Sequence, residues 1–226
     1  MASNYTYSFF RVSKTDEVEA SAQKYRDLRL KALKTSPDSF SSTYDIESAF
    51  TNSEWIDRLT FPDRELFICA AKPLSHNPSS PNDIEWIGQV TLRGPSSRAD
   101  FELPVEAGQP PQKFDEEEER WQMLSLFTLS EYRGHGLGSK LCQEALNYLR
   151  SYRSFPGQVQ VRLIVKAGND VTVELYRRLG FIHAGRATLV EALIANGDEH
   201  LVPKDRASAK YSDRKGLIMI SRMSRS

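Results

Sequence analysis

Residues 132–140 read YRGHGLGSK, with glycine at positions 134, 136 and 138. The stretch follows an apolar segment, Trp121–Leu129, and runs into an amphipathic one, Gly138–Tyr152, so we predict a strand, a turn and a helix. The N-terminus of a helix offers unpaired N–H groups and the positive end of the helix dipole. Glycines let an anion approach that backbone closely. The stretch therefore predicts a phosphate or pyrophosphate site.

The spacing of the glycines distinguishes this turn from two common phosphate motifs. A Walker A loop (G-x-x-x-x-G-K) and a dinucleotide fingerprint (G-x-G-x-x-G) both need glycine at the sixth position. Counted from Gly134, that position is Ser139, so both motifs fail. The pattern that fits is R-x-x-G-x-G, formed by Arg133, Gly136 and Gly138.

The stretch LFTLSEYRGHGLGSKL (residues 126–141) resembles the pyrophosphate motif of the GNAT superfamily of acyl-CoA-dependent N-acetyltransferases. A second stretch, NDVTVELYRRLGF (residues 169–181), resembles that family's next motif, with Asn at a strand end, then Leu-Tyr, then Gly-Phe. The matching residues are Asn169, Leu175, Tyr176, Gly180 and Phe181. Leu28–Leu33 and Ser36–Phe40 are similar to the family's substrate-facing segment. The resemblance covers Phe9–Met223 and is weakest over three loops.

The resemblance implies acetyl-CoA as cosubstrate and a set of residues that bind it. Backbone N–H groups from Arg133 to Ser139 would hold the pyrophosphate, and the strand edge at Phe127–Leu129 would pair with the pantetheine amides. Asn169 would contact the pantetheine arm, and Arg177 or Arg178 would lie near the 3′-phosphate. The implied cofactor-binding residues are Phe127, Thr128, Leu129, Arg133, Gly134, His135, Gly136, Leu137, Gly138, Ser139, Asn169, Tyr176 and Arg178. His, Cys, Asp and Glu form no cluster with metal-ligand spacing, so we predict no metal.

The resemblance also implies a general acid and leaves the general base open. Tyr176 would protonate the departing thiolate, although a core aromatic fits the same position. Some family members carry Glu on the strand before the turn, where this chain has Gln122, which cannot accept a proton. Glu119 is the nearest carboxylate and our candidate base, although it also fits a solvated DEEEE run. A proton relayed through water, or an acceptor amine that is already acidic, would remove the need for a base.

Apolar periodicity predicts a chain in which strands alternate with helices. The predicted strands are Phe9–Ser13, Leu66–Ala71, Glu85–Arg93, Trp121–Leu129, Val159–Val165, Phe181–Ala192 and Leu217–Met223, and the predicted helices are Asp16–Lys34, Ser53–Leu59, Gly138–Tyr152 and Asp170–Leu179. Strand–helix–strand units indicate parallel pairing in the middle of the sheet and antiparallel hairpins on either side. The resemblance implies an α/β (α+β) fold whose mixed central sheet has a splayed parallel pair of strands, with helices on both faces.

Length and composition set the limits of the function. The 226 residues suffice for one domain, 1–226, with loop insertions near 72–83, 94–119 and 196–215. A formal net charge of zero argues against a general nucleic-acid binder. The longest apolar runs are far short of the ~18 residues that span a bilayer. The first residues show no secretory signal, and Cys69 and Cys142 fit buried thiols, so we expect a cytoplasmic protein without a membrane or nucleic-acid partner.

The expected activity is transfer of acetyl from acetyl-CoA to a primary amine of a small molecule or a peptide, in a ternary complex. The acids of Asp100–Glu119 outnumber the bases by seven, which suggests a cationic acceptor or simply a solvated loop. Because Gln122 replaces a base, a sensor or scaffold that binds CoA without turnover is the alternative. Transfer of a longer acyl chain is a third reading, and the oligomeric state, monomer or homodimer, stays open.

Overall fold

The computed structural model describes residues 4–74, 84–206 and 208–225. The strands are β1 Tyr5–Arg11, β2 Arg64–Pro73, β3 Glu85–Ser96, β4 Glu118–Thr128, β5 Gln158–Lys166, β6 Ile182–Ala187 and β7 Gly216–Ser224. The helices are α1 Val18–Thr35, α2 Tyr44–Ser48, α3 Asn52–Thr60, α4 Arg98–Phe101, α5 Leu137–Ser151, α6 Asp170–Arg178, α7 Leu189–Asn196 and α8 Ala209–Ser212. Every predicted strand and helix overlaps an observed element of the same type.

Within the described residues, the strands form a seven-stranded sheet in the order β1-β2-β3-β4-β5-β7-β6. β4 and β5 are parallel, whereas β1 with β2 and β7 with both β5 and β6 are antiparallel. The parallel ladder joins only Glu118–Gln122 to Gln158–Arg162, although β4 runs on to Thr128 and β5 to Lys166. The predicted mixed sheet with a splayed parallel pair is therefore confirmed.

Residue contacts group the chain into two compact units, Met1–Thr91 with Ser125–Ala145, and Leu92–Leu124 with Leu146–Ser226. In the first unit, the periodic apolar face of α1 is buried, as its spacing predicts. Helix α3 begins with a capping box in which Thr51 and Glu54 bond each other's backbone N–H groups. Its Trp55 packs edge-on against Tyr25, with ring centroids 5.6 Å apart. The assignment of 1–226 to a single domain stays a prediction.

The second unit contains the main departure from the predicted elements. The predicted strand Phe181–Ala192 is wrong beyond Ala187, because Thr188 starts helix α7 with a second capping box that it forms with Glu191. The core beneath β6 and β7 includes Ala107, Ala187, Ile218 and Ile220. Gly185 in β6 fits closely here, since a Cβ at that position would lie 2.2 Å from the Ala107 carbonyl oxygen.

Smaller differences concern a helix start and the loops. Helix α1 begins at Val18 rather than at the predicted Asp16, and Glu17, which precedes it, makes no side-chain cap. The predicted loops 94–119 and 196–215 hold the short helices α4 and α8, and most of the loop 72–83 lies outside the described residues. Both cysteines are buried thiols, and burial raises the pKa of each to about 12. No helix in the described part of the chain is long and apolar enough to cross a membrane.

Candidate functional site

The glycine turn lies in the first unit, between the end of β4 and the start of α5. Gly134 and Gly136 have φ values of 85° and 71°, which side-chain-bearing residues rarely adopt. The N–H of Arg133 donates to the Ser130 carbonyl at 3.2 Å, and the first helical bond runs from Lys140 to Gly136 at 3.1 Å. Between them, the N–H groups from Gly134 to Ser139 have no acceptor among the described residues. A run of unpaired donors at a helix N-terminus fits a diphosphate.

The side chains of the turn hold its backbone in place. The Tyr132 hydroxyl donates to Glu85 at 2.9 Å, and the buried phenol has a pKa raised by desolvation and by this carboxylate. His135 Nδ1 lies 3.1 Å from the Arg133 carbonyl oxygen, the distance of an N–H donor to that oxygen. Arg133 Nε donates to the Thr128 carbonyl at 2.9 Å. The turn is therefore tied both to β3 and to the end of β4.

The end of β4 leaves fewer free backbone groups than the sequence predicts. The Leu129 N–H donates to the Ile87 carbonyl at 2.8 Å, and the Leu129 carbonyl accepts from Tyr132 at 3.0 Å. Both polar groups of Leu129 are therefore used within the protein. Leu129 is therefore not available to the pantetheine amides, and the Thr128 carbonyl already accepts from Arg133.

The second motif lies in the second unit, on and around α6. The Asn169 side chain caps this helix by accepting from the Thr172 N–H at 3.4 Å. Tyr176 is buried against Phe181, with ring centroids 5.7 Å apart. Arg178 is exposed and bonds Glu174 one turn earlier at 3.1 Å. In the structure, Asn169 therefore acts as a helix cap, Tyr176 as a core aromatic and Arg178 as part of a surface ion pair. The roles in cofactor binding and catalysis that the resemblance implies for these residues stay predictions.

Glu119 has a structural environment that the sequence does not reveal. It is buried at the start of β4, where it is ion-paired with Arg153 and Arg225 and accepts from Trp121 Nε1 at 2.6 Å. The expectation that it belongs to a solvated acidic run is wrong. Its role as a base stays a prediction, and the two guanidinium groups weigh against it because both of its oxygens are already engaged by arginines.

Gln122, at the position where some family members carry Glu, is part of a buried polar network in the second unit. Its Oε1 accepts from Arg162 Nε at 2.7 Å, and its Nε2 donates to Asn196 at 3.2 Å. Arg162 Nη1 also donates to the Phe101 carbonyl at 2.6 Å, and burial lowers its pKa to about 9. Both ends of the Gln122 amide are therefore engaged, and neither Arg162 nor Asn196, which engage it, is a carboxylate that could serve as a base.

Much of the acidic stretch 115–119 is neutralised within the second unit. Asp115 bonds Arg120 at 2.6 Å, Glu118 bonds Arg222 at 3.0 Å, and Glu119 is ion-paired as described. The field available to attract a cationic acceptor is therefore smaller than the residue count suggests. Within residues 4–74, 84–206 and 208–225, no group of three His, Cys, Asp or Glu residues is placed to hold a metal ion.

Sequence reasoning missed a buried charged cluster in the first unit that joins α1, α2 and α3. Glu47 is fully buried, and it accepts from Arg29 Nε at 2.9 Å and Nη2 at 2.7 Å. Arg58 donates to the same carboxylate at 3.1 Å. Burial alone would raise the pKa of Glu47, but the hydrogen bonds and charges of the two arginines outweigh it, so the pKa lies below its usual value. No local motif signals this cluster, because its members come from three helices.

Comparisons with known proteins indicate a family for part of the chain and a fold for the chain. Residues 82–181 match the model of the acetyltransferase (GNAT) family. A solved structure of NAA60 from Arabidopsis thaliana, in complex with a bisubstrate analogue, aligns over 97% of this chain and 100% of that chain, with a TM-score of 0.53 and 17% identity. No curated protein sequence matches the chain.

Two bacterial structures give the same result. A putative acetyltransferase from Acinetobacter baylyi aligns over 98% of this chain and 94% of that chain (TM-score 0.55, 13% identity). A GNAT-family acetyltransferase from Streptococcus pneumoniae aligns over 97% and 100% (TM-score 0.52, 16% identity). At these sequence identities, the similarity to solved structures shows the fold alone. The resemblance inferred from the two motifs is therefore confirmed: residues 82–181 carry a GNAT acetyltransferase domain, and the chain has the fold of that superfamily.

Proposed function

We propose that the protein transfers an acetyl group from acetyl-CoA to a primary amine by direct attack in a ternary complex. The observation that carries this proposal is the run of unpaired N–H groups from Gly134 to Ser139 at the start of α5. These donors fit the pyrophosphate of the cofactor. Phe127 and Thr128, past the point where β4 leaves β5, would pair with the pantetheine amides. Acetyl-CoA supplies, when bound, an acyl group activated as a thioester.

The remaining roles come from the family resemblance. Asn169 would contact the pantetheine arm, and Arg178, whose side chain is exposed, would lie near the 3′-phosphate. Tyr176 would act as a general acid that protonates the thiolate as it leaves. Each of these roles predicts a separate defect, in cofactor binding for Asn169 and Arg178 and in turnover for Tyr176.

The acceptor amine must lose a proton, and neither Gln122 nor Glu119 is well suited to take it. A lysine-like amine with a pKa near 10.4 costs about 4.6 kcal/mol to neutralise at pH 7. Gln122 cannot accept the proton, and Glu119 is held by two arginines. We therefore favour a proton relayed through water or an acceptor of low pKa, such as a peptide α-amine.

Turnover tests the proposal. The full chain is incubated with acetyl-CoA and a panel of amines comprising peptides with free N-termini, lysine peptides, polyamines and anilines, and released thiol is measured. We expect release with at least one class, at a rate that rises with pH as the amine deprotonates. Longer acyl-CoA donors in the same assay define the acyl chain. Absence of release with every amine, despite binding of acetyl-CoA, would contradict the proposal.

A CoA-binding sensor or scaffold is the second candidate. The full engagement of Gln122 by Arg162 and Asn196 favours it, because the usual position of a base is here part of a structural network. The same assay decides between the two. Turnover above the level of a Tyr176→Phe variant excludes the scaffold.

A further inference from the structure

Ser125 interrupts β4 with an unusual backbone conformation. Its φ is 57°, in the left-handed region that a residue with a Cβ adopts only when its surroundings hold it there. It lies three residues beyond Gln122, where the ladder with β5 ends, and two residues before Phe127. The conformation of Ser125 therefore sets the direction in which the backbone of Phe127 and Thr128 continues.

Two side chains of the first unit bond Ser125. Gln89, fully buried on β3, donates from Nε2 to the Ser125 carbonyl at 3.4 Å. Arg29 donates from Nη1 to the Ser125 hydroxyl at 3.5 Å. Gln89 Oε1 is buried and has no hydrogen-bond partner among the described residues. A buried amide oxygen without a partner is costly, and among the described residues the bond to Ser125 is the one hydrogen bond that the Gln89 side chain makes.

Arg29 is itself held rigidly. Its guanidinium donates two hydrogen bonds to the buried Glu47 carboxylate. The same guanidinium lies 4.4 Å from the centroid of the Phe40 ring. Phe40 packs in turn against Phe127, with ring centroids 5.9 Å apart. The same arginine therefore contacts Ser125 and the ring that covers Phe127.

We propose that Gln89 and Arg29 are positioning residues, which hold Ser125 in its left-handed conformation so that the backbone of Phe127 and Thr128 faces the pantetheine arm. This inference rests on the proposed use of acetyl-CoA. It assigns no chemical step to either side chain. Their effect is on the pantetheine and thioester end of the cofactor, while the diphosphate at Gly134–Ser139 is held independently of them.

The test compares Gln89→Met with a matched control, Gln160→Met. Both glutamines are fully buried, both donate from Nε2, and both have an unpartnered Oε1. Gln160 bonds Gln112 in the second unit at 2.7 Å. The two substitutions therefore remove equivalent groups from the protein, and only one of them removes a contact to Ser125. Ser125→Ala, which removes the acceptor of Arg29 and leaves the Arg29–Glu47 pair intact, is the second variant.

Calorimetry is performed with two probes, acetyl-CoA and 3′-phosphoadenosine 5′-diphosphate, which is the cofactor without its pantetheine arm. For Gln89→Met and Ser125→Ala we expect the Kd of acetyl-CoA to rise about fivefold each, the effect of one lost hydrogen bond. The Kd of the fragment should stay unchanged in both, and kcat/KM should fall in parallel with acetyl-CoA binding. Gln160→Met should bind both probes like the wild type.

Three results would overturn the inference. They are unchanged acetyl-CoA binding in both variants, equal weakening of the two probes, and an equal effect in Gln160→Met. If Gln89→Met does not fold, Ser125→Ala alone decides. A wild-type protein that binds neither probe contradicts the proposed function itself, which separates that failure from a failure of the positioning role.

Discussion

Replacing Glu47 with Gln should destabilise the first unit strongly, although the substitution hardly changes the shape of the side chain. Glu47 is fully buried, and its carboxylate is ion-paired with both Arg29 and Arg58. A glutamine keeps an acceptor oxygen, but it removes the negative charge that faces the buried Arg29 guanidinium. Breaking a buried pair in this way costs about 3–5 kcal/mol. For a chain of this length, that corresponds to a fall in Tm of roughly 10 °C.

The matched control is Glu131→Gln. Glu131 bonds Lys31 at 2.9 Å, but its side chain is 50% exposed, so its loss should cost at most about 1 kcal/mol. Urea unfolding followed by circular dichroism measures both variants against the wild type. An equal or smaller loss in Glu47→Gln than in Glu131→Gln would refute the reasoning.

The pH dependence of the same measurement follows from the pKa of Glu47. A carboxylate whose pKa is lowered by folding stabilises the protein above its unfolded pKa, and this stabilisation is lost as the pH falls through the folded value. The difference in unfolding free energy between the wild type and Glu47→Gln should therefore be full at pH 7 and shrink below about pH 4. A difference that stays constant down to pH 2 would show that the charge of Glu47 is not its source.

Three further predictions concern the motifs and the buried acid. Gly136→Val should weaken acetyl-CoA binding at least tenfold because a β-branched residue resists a φ of 71°. Thermal unfolding should show that the fold persists, since a Cβ at this position has no neighbour within 4 Å. Tyr176→Phe should lower kcat by about 10²-fold or more, as expected for loss of a general acid. The ring should still pack on Phe181, so the Kd of acetyl-CoA should not change. An unchanged kcat would show that Tyr176 has only a structural role. Glu119→Gln should lower the unfolding free energy by about 3 kcal/mol by removing the carboxylate that is ion-paired with the buried Arg225 guanidinium. A large fall in kcat with stability unchanged would instead support Glu119 as the base.

The features that the sequence predicted well depend on residues close together in the chain. The glycine turn and the second motif are fixed spacings over fewer than twenty residues, and each predicted strand and helix follows from local periodicity. The signal for α7 was also present, since Thr188 and Glu191 have the spacing of a capping box before an apolar run. We predict one strand from Phe181 to Ala192 instead, and so this signal for α7 is missed.

The features that could not be predicted depend on long-range contacts. The acidic residues Glu118 and Glu119 pair with Arg222 and Arg225, more than a hundred positions away, so an apparently solvated acidic run is partly buried. The positive φ of Ser125 has no local signature either, because serine does not favour it and the contacts of Gln89 and Arg29 stabilise it. Charge counts and propensities describe neither case.

The central claim is that the N–H groups of Gly134–Ser139 bind the diphosphate of acetyl-CoA, and calorimetric titration of the full chain tests it most directly. The account predicts saturable binding of one acetyl-CoA per chain to the wild type, competition by 3′-phosphoadenosine 5′-diphosphate, and loss of binding in Gly136→Glu, whose side chain would place a carboxylate at the anion site. No detectable binding to the wild type at millimolar acetyl-CoA, or equal binding to Gly136→Glu, would contradict it.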